Sequence, residues 1–174
     1  ILAAFRGQGE VAINAGQSGD RVAFHGQAEA GPNDTAAVFT QAGKVAAVGD
    51  TLSAGITVDD IDPEGKVAIN SFDQAVFHGS VEIEGGFFDE QFRVLFIADG
   101  VETREAVREA SELPDGTPLD DITESGGVAI NDFDEVAFHG QTIDPDTGGD
   151  SLKAVFTSDG RVAQEGAELE VGTI

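Results

Sequence analysis

All three histidines of the chain fall at the same place in a repeated phrase: Val22-Ala-Phe-His25-Gly26, Ala75-Val-Phe-His78-Gly79 and Val136-Ala-Phe-His139-Gly140. A residue this rare, recurring in register, means that one unit is present three times. The question is therefore what three copies of a small unit build. Self-similarity at a spacing of this size is the signature of propeller blades, solenoid turns or pseudo-symmetric closed folds.

The repeat runs well beyond the histidines. Each copy begins with Val-Ala-Ile-Asn, at Val11–Asn14, Val67–Asn70 and Val128–Asn131. After the histidine phrase come Ala37-Val-Phe-Thr40, Val94-Leu-Phe-Ile97 and Ala154-Val-Phe-Thr157. A Leu-x-x-Gly phrase closes each copy, at Leu52–Gly55, Leu113–Gly116 and Leu169–Gly172. The apolar runs are short, rich in Val, Phe, Ile and Ala, and bounded by Gly, Asn and Asp, which reads as strand. They place apolar groups on both faces, as in sheets covered on both sides. Asn70–Asp73 and Asn131–Asp134 read as turns between the first two strands of their copies. The segment 101–110 is rich in helix formers. Its place in the repeat is that of a fourth strand, which predicts an extended conformation.

The predicted fold is all-β: one domain of three tandem four-stranded repeats, about 2–57, 58–118 and 119–174, in a propeller-like or prism-like pseudo-threefold arrangement. The start of the chain, Leu2 to Phe5, supplies the continuation that the third copy lacks where it stops at Ile174. The first segment is thus expected to complete the last repeat, within the chain or in a neighbouring subunit. Such completion protects strand edges.

Charge narrows the partners. With 33 acidic against 9 basic residues the formal charge is −24, a surface that repels nucleic acid and anionic membranes. Cysteine is absent, which excludes disulfides and thiolate metal sites. No apolar run approaches the about 18 residues of a spanning helix. The chain begins at Ile rather than Met, which reads as a processed or partial chain.

The wording Gly-x-Val-Ala-Ile-Asn-x-Phe-Asp-x-Val-Ala-Phe, followed by Ala-Val-Phe-Thr-x-x-Gly-x-Val-Ala, resembles the tandem repeats of secreted bacterial "choice-of-anchor" proteins. The resemblance covers essentially the whole chain. It implies a propeller-like β fold and a noncatalytic role outside the cell or on its surface.

Three places are candidates for chemistry. If three units surround an axis, His25, His78 and His139 converge into an imidazole site suited to zinc; otherwise each histidine ends a strand and bonds nearby backbone. Asp144, Asp146 and Asp150 cluster around glycines, as calcium loops require, or form a solvated loop. The segment between the second and third strands of copy two carries Phe87, Phe88 and Phe92, a docking patch or a cover for the sheet end. Nothing resembles a nucleophile elbow or a phosphate loop. The expectation is a noncatalytic structural protein with no required cofactor. It associates with copies of itself, head to tail, through Leu2, Phe5, the three phenylalanines and Ile174. The alternative is a monomeric module binding a glycan or a cation through its variable loops.

Overall fold

A computed structural model of the chain describes residues 11–16, 19–30, 33–52, 55–83, 90–123, 126–143 and 151–165. Its strands form a succession of antiparallel sheets. The first sheet is a meander of β1 (Val11–Gly16), β2 (Gly19–Ala30), β3 (Asn33–Thr40) and β4 (Gly43–Ala47). The second comprises β5 (Val58–Ile61), β6 (Val67–Ile69), β7 (Ala75–Ile83), β8 (Glu90–Ala98) and β9 (Thr103–Arg108). A short hairpin of β10 (Ser111–Glu112) and β11 (Pro118–Leu119) leads to the third. That sheet holds β12 (Asp121–Ile122), β13 (Val128–Ile130), β14 (Val136–Ile143), β15 (Ser151–Thr157) and β16 (Gly160–Gln164). Among the described residues there is no helix, and the sheets do not close into a barrel or a propeller. The helix formers of 101–110 lie in β9, as the repeat register predicts.

The expected four strands become five in the second and third sheets because the first strand is broken. β5 and β6 lie one after the other along the same edge of β7, with Ile61 opposite Gly79 and Val67 opposite Phe77. A tight loop fills the gap. The Asp62 amide donates to the His78 carbonyl at 3.2 Å, and the Gly65 amide to Asp62 O at 3.2 Å. The third sheet repeats this with Thr123 on His139 and Gly126 on Thr123, at 3.1 and 2.8 Å.

The turns follow from side chains that replace backbone bonds. Asn70 Oδ1 accepts from the amides of Phe72 and Gln74, each at 3.0 Å, and Asn131 Oδ1 from those of Phe133 and Glu135 at 2.9 and 3.1 Å. These bonds hold Asp73 and Asp134 at φ of 66° and 65°, a region that Asp tolerates better than most residues. The first two Leu-x-x-Gly phrases form tight turns on the way from one sheet to the next. Leu52 N–H donates to Ile56 O at 2.7 Å and Leu113 N–H to Thr117 O at 2.9 Å, with Gly55 and Gly116 at positive φ.

Both leucines are buried, each in a different core. One apolar cluster joins the first and second sheets through Val38, Ala46, Leu52, Ile69, Phe77 and Phe96. Another joins the second and third through Val76, Leu95, Leu113, Val136, Phe138 and Phe156. The second sheet therefore lies between the other two. Its alternate residues, Phe77 against Val76 and Phe96 against Leu95, serve opposite cores, which explains why its strands are apolar on both faces.

Gly79 sits at a close approach of β5 and the Phe96 ring to β7. A Cβ there would meet the Asp60 carbonyl oxygen at 2.3 Å and the Phe96 ring at 2.9 Å. Gly79→Ala is expected to push β5 off β7 and lower stability by about 2–3 kcal/mol, measured by chemical denaturation. A loss within error of zero would mean that the backbone yields freely at this point.

Candidate functional site

The repeated Phe-His-Gly phrase is the feature to be explained, and its three residues divide one task. In each sheet the phenylalanine pairs across the ladder with the phenylalanine of the next strand. Ring centroids lie 5.6 Å apart for Phe24–Phe39, 5.4 Å for Phe77–Phe96 and 5.3 Å for Phe138–Phe156. Such offset pairs contribute beyond the area they bury. The glycine makes room for the second ring, whose edge would stand 3.0, 2.9 and 3.2 Å from a Cβ at Gly26, Gly79 and Gly140. The histidine, one residue on from the phenylalanine, turns to the opposite face.

Each sheet thus has a front, carrying the two phenylalanines, and a back, carrying the histidine. The front of the second sheet packs on the back of the first, and the front of the third on the back of the second. His25 lies opposite Val38 in the ladder and His78 opposite Leu95, each beside a residue of an inter-sheet core. Both are buried, at 5% and 4% exposure. His139 lies opposite Val155 on the back of the third sheet and is exposed.

Burial sets the chemistry of His78. Its Nε2 is buried without a hydrogen-bond partner. Loss of hydration pushes its pKa from 6.5 down to about 4, the nearby Asp62 carboxylate opposing the shift and His25 adding to it. The imidazole is neutral at pH 7, a packing group with little basicity left.

Polar contacts run along the turn edge between sheets. Asn14 Nδ2 donates to Ile69 O at 3.1 Å, and Asn70 Nδ2 to Asn131 O at 3.1 Å. Arg21 pairs with Asp73 at 3.4 Å and Arg104 with Asp134 at 2.9 Å. Ser71 Oγ donates to Asp132 at 2.6 Å, and hydrogen bonding from Ser71 holds that carboxyl below its usual range. Across the sheets Arg93 reaches Asp121 at 2.6 Å. The Asn and Asp of the turn phrase therefore tie neighbouring sheets together as well as forming the local turns.

The candidate residues distribute as follows. The three histidines lie on three different sheets, and among the described residues no group of three or more His, Asp or Glu side chains gathers at metal-binding spacing. Phe92 lies in β8, half-buried, packed against the first core with the Arg108 guanidinium 5.8 Å from its ring centre. Leu2, Phe5, Phe87, Phe88, Asp144, Asp146, Asp150 and Ile174 lie outside the described residues. Two Asp-Asp pairs, Asp59-Asp60 and Asp120-Asp121, are engaged locally: Asp59 accepts from Gln91 at 2.7 Å and Asp120 from Ser151 at 2.7 Å.

The open back of the third sheet forms a depression of about 380 Å³ lined by Thr123, His139, Lys153, Val155, Ala163 and Glu165. A polar hollow of about 340 Å³ occupies the corresponding place in the second sheet, bordered by Asp62, His78, Arg93 and Glu109. Correspondence here is by ladder position: the Glu109 amide donates to Arg93 O at 3.0 Å, and the Glu165 amide to Lys153 O at 2.8 Å.

The sequence matches, over residues 3–171, a family described as a family of unknown function, DUF7453, and the chain belongs to that family. No curated protein and no solved structure matches it.

Proposed function

For this member of the family we propose a noncatalytic structural role outside the cell or on its surface: three repeated units, arranged like propeller blades in a row, that associate with copies of the same chain. One observation carries the reading. The Phe-His-Gly phrase, the most distinctive chemistry in the sequence, is spent on sheet-on-sheet packing, with Phe on one face, His on the other and Gly clearing space for a ring. The buried, neutral His78, whose Nε2 has no hydrogen-bond partner among the described residues, is suited to packing rather than proton transfer. The module is made to stack, and stacking is the interaction it offers a partner. No cofactor enters this reading.

The charge of −24 gives the reading a salt signature. Copies repel at low ionic strength, and screening shortens the range of that repulsion from about 30 Å at 0.01 M to about 8 Å at 0.15 M. Sedimentation velocity over a range of concentrations is expected to show mass growing beyond the monomer, more so at 0.15 M than at 0.01 M salt. A monomer at every concentration and salt would leave a monomeric module, binding a glycan or a cation through its variable loops, as the better reading.

A further inference from the structure

Beyond the structural role, and independently of it, we propose a ligand site: the polar hollow on the back of the second sheet binds a small organic cation through its ammonium or guanidinium head.

The hollow is built by one row of the ladder. Asp60 of β5 lies opposite Ser80 of β7, Ser80 opposite Arg93 of β8, and the Glu109 amide bonds to Arg93 O just past β9. His78 is two residues from Ser80, so both side chains turn to the back of the sheet. Asp62 joins them from the loop that bonds to the His78 carbonyl. Together these residues border a space of about 340 Å³, a size that suits a small ligand.

The same row of the first sheet is filled instead. There Gln27 lies opposite Ala36, and the Val48 amide bonds to Ala36 O at 3.0 Å. Ala36 and Val48 pack against the core that the first sheet shares with the second. Arginine and glutamate hold those two places in the second sheet, around an open space. The third sheet keeps the polar row as Asp121, Gln141, Lys153 and Glu165, but Thr123 stands in the place of Asp62.

The bonds already made decide what the hollow takes. Its donors are engaged: the Gln91 amide reaches Asp59 at 2.7 Å and Ser80 Oγ at 3.1 Å, and the Arg93 guanidinium reaches Asp121 at 2.6 Å. Acceptors remain. Asp62 receives the Glu64 amide on Oδ1 and Glu109 the Arg93 amide on Oε1, each at 2.8 Å, which leaves the second oxygen of each carboxylate. Asp60 adds a third carboxylate, exposed beside them. His78, 4% exposed, forms the inner wall, and its Nε2 has no hydrogen-bond partner. Burial keeps this imidazole neutral at pH 7, so it does not repel a positive charge. Spare acceptors and carboxylates select a ligand that donates hydrogen bonds and is positively charged. The acceptors border a space instead of meeting at one point, and among the described residues no three such groups stand at metal-binding spacing. A head group of several atoms fits that arrangement better than a bare ion.

Nuclear magnetic resonance titration of the isotope-labelled chain tests the site, with butylammonium and methylguanidinium as probes. Salt at about 0.15 M screens the diffuse attraction of cations to the acidic surface. At least one probe is expected to shift the amides of Asp60, Ser80 and Glu109 and the ring of His78 in a saturable way. Asp60→Asn with Glu109→Gln should weaken that binding about tenfold or more, the factor carried by a hydrogen bond to a charged group. Asp159→Asn, on the exposed turn between β15 and β16, should leave it unchanged. If the double variant loses the native spectrum, Asp60→Asn alone, at an exposed position, carries the comparison. Nα-acetyl-lysine amide presents the same head on a side chain: binding tighter than butylammonium assigns the site to a lysine of another protein, and weaker binding to a free amine. Shifts spread over the whole surface, or binding that the carboxylate variants leave intact, would overturn the site and leave self-association untouched.

Discussion

Phe96→Ala is expected to cost about 3–5 kcal/mol, a large share of the roughly 5–15 kcal/mol that holds a domain of this kind folded. Phe96 is fully buried, pairs with Phe77, and its ring fills the space over Gly79 between the first two sheets. Removing it leaves a cavity that the flanking sheets cannot close without giving up ladder bonds on β7 or β8. Urea denaturation measures the loss, and a change within error of zero would mean that the ring is not packed between the sheets.

The second large effect is acid sensitivity centred on His78. In the folded chain this imidazole resists protonation down to about pH 4, whereas in the unfolded chain it takes a proton near 6.5. Between those values the unfolded state binds more protons, so stability falls as pH falls. It is fully present above about pH 6.5 and lower by about 3 kcal/mol at pH 4. Two other effects overlap with this one. Protonation of surface carboxylates relieves self-repulsion and acts in the opposite direction. Asp99, Asp115 and Asp132 have carboxyls held below the usual range by hydrogen bonds, so they add acid loss mainly at the low end of the window. His78→Leu separates them by deleting one titration beside Asp62 and His25 and leaving the carboxylates in place. The expected result is that the difference in unfolding free energy between the two proteins changes by about 3 kcal/mol from pH 7 to pH 4. Parallel curves would show that His78 titrates normally and is open to water.

Much of this architecture is legible in the chain, for a physical reason. Copies of a unit repeat their turn chemistry, so Asn70 and Asn131 announce the same turn, and Leu52 and Leu113 the same link between sheets. Repeat register also outweighed local propensity at β9, where ladder pairing with β8 fixes as strand a segment that favours helix in isolation. The break between β5 and β6 was not legible. A loop that bonds across to the His78 carbonyl leaves only Gly65 as its trace. Faces were the harder matter. Val38 and Val155 are the same residue in the same phrase, one buried and the other exposed. Val38 is covered by the second sheet and Val155, among the described residues, by no other sheet, a difference that their shared phrase does not record. The recurrence of the histidines leaves open whether they converge or end separate strands; they lie on three different sheets.

The most direct test of the account is hydrogen exchange of the unaltered chain at low and high concentration in 0.15 M salt. The account predicts that amides gain protection on concentration, while those of β7 and β8, already enclosed between two sheets, do not change. Protection that does not change with concentration at any amide would contradict the claim that copies of the chain associate.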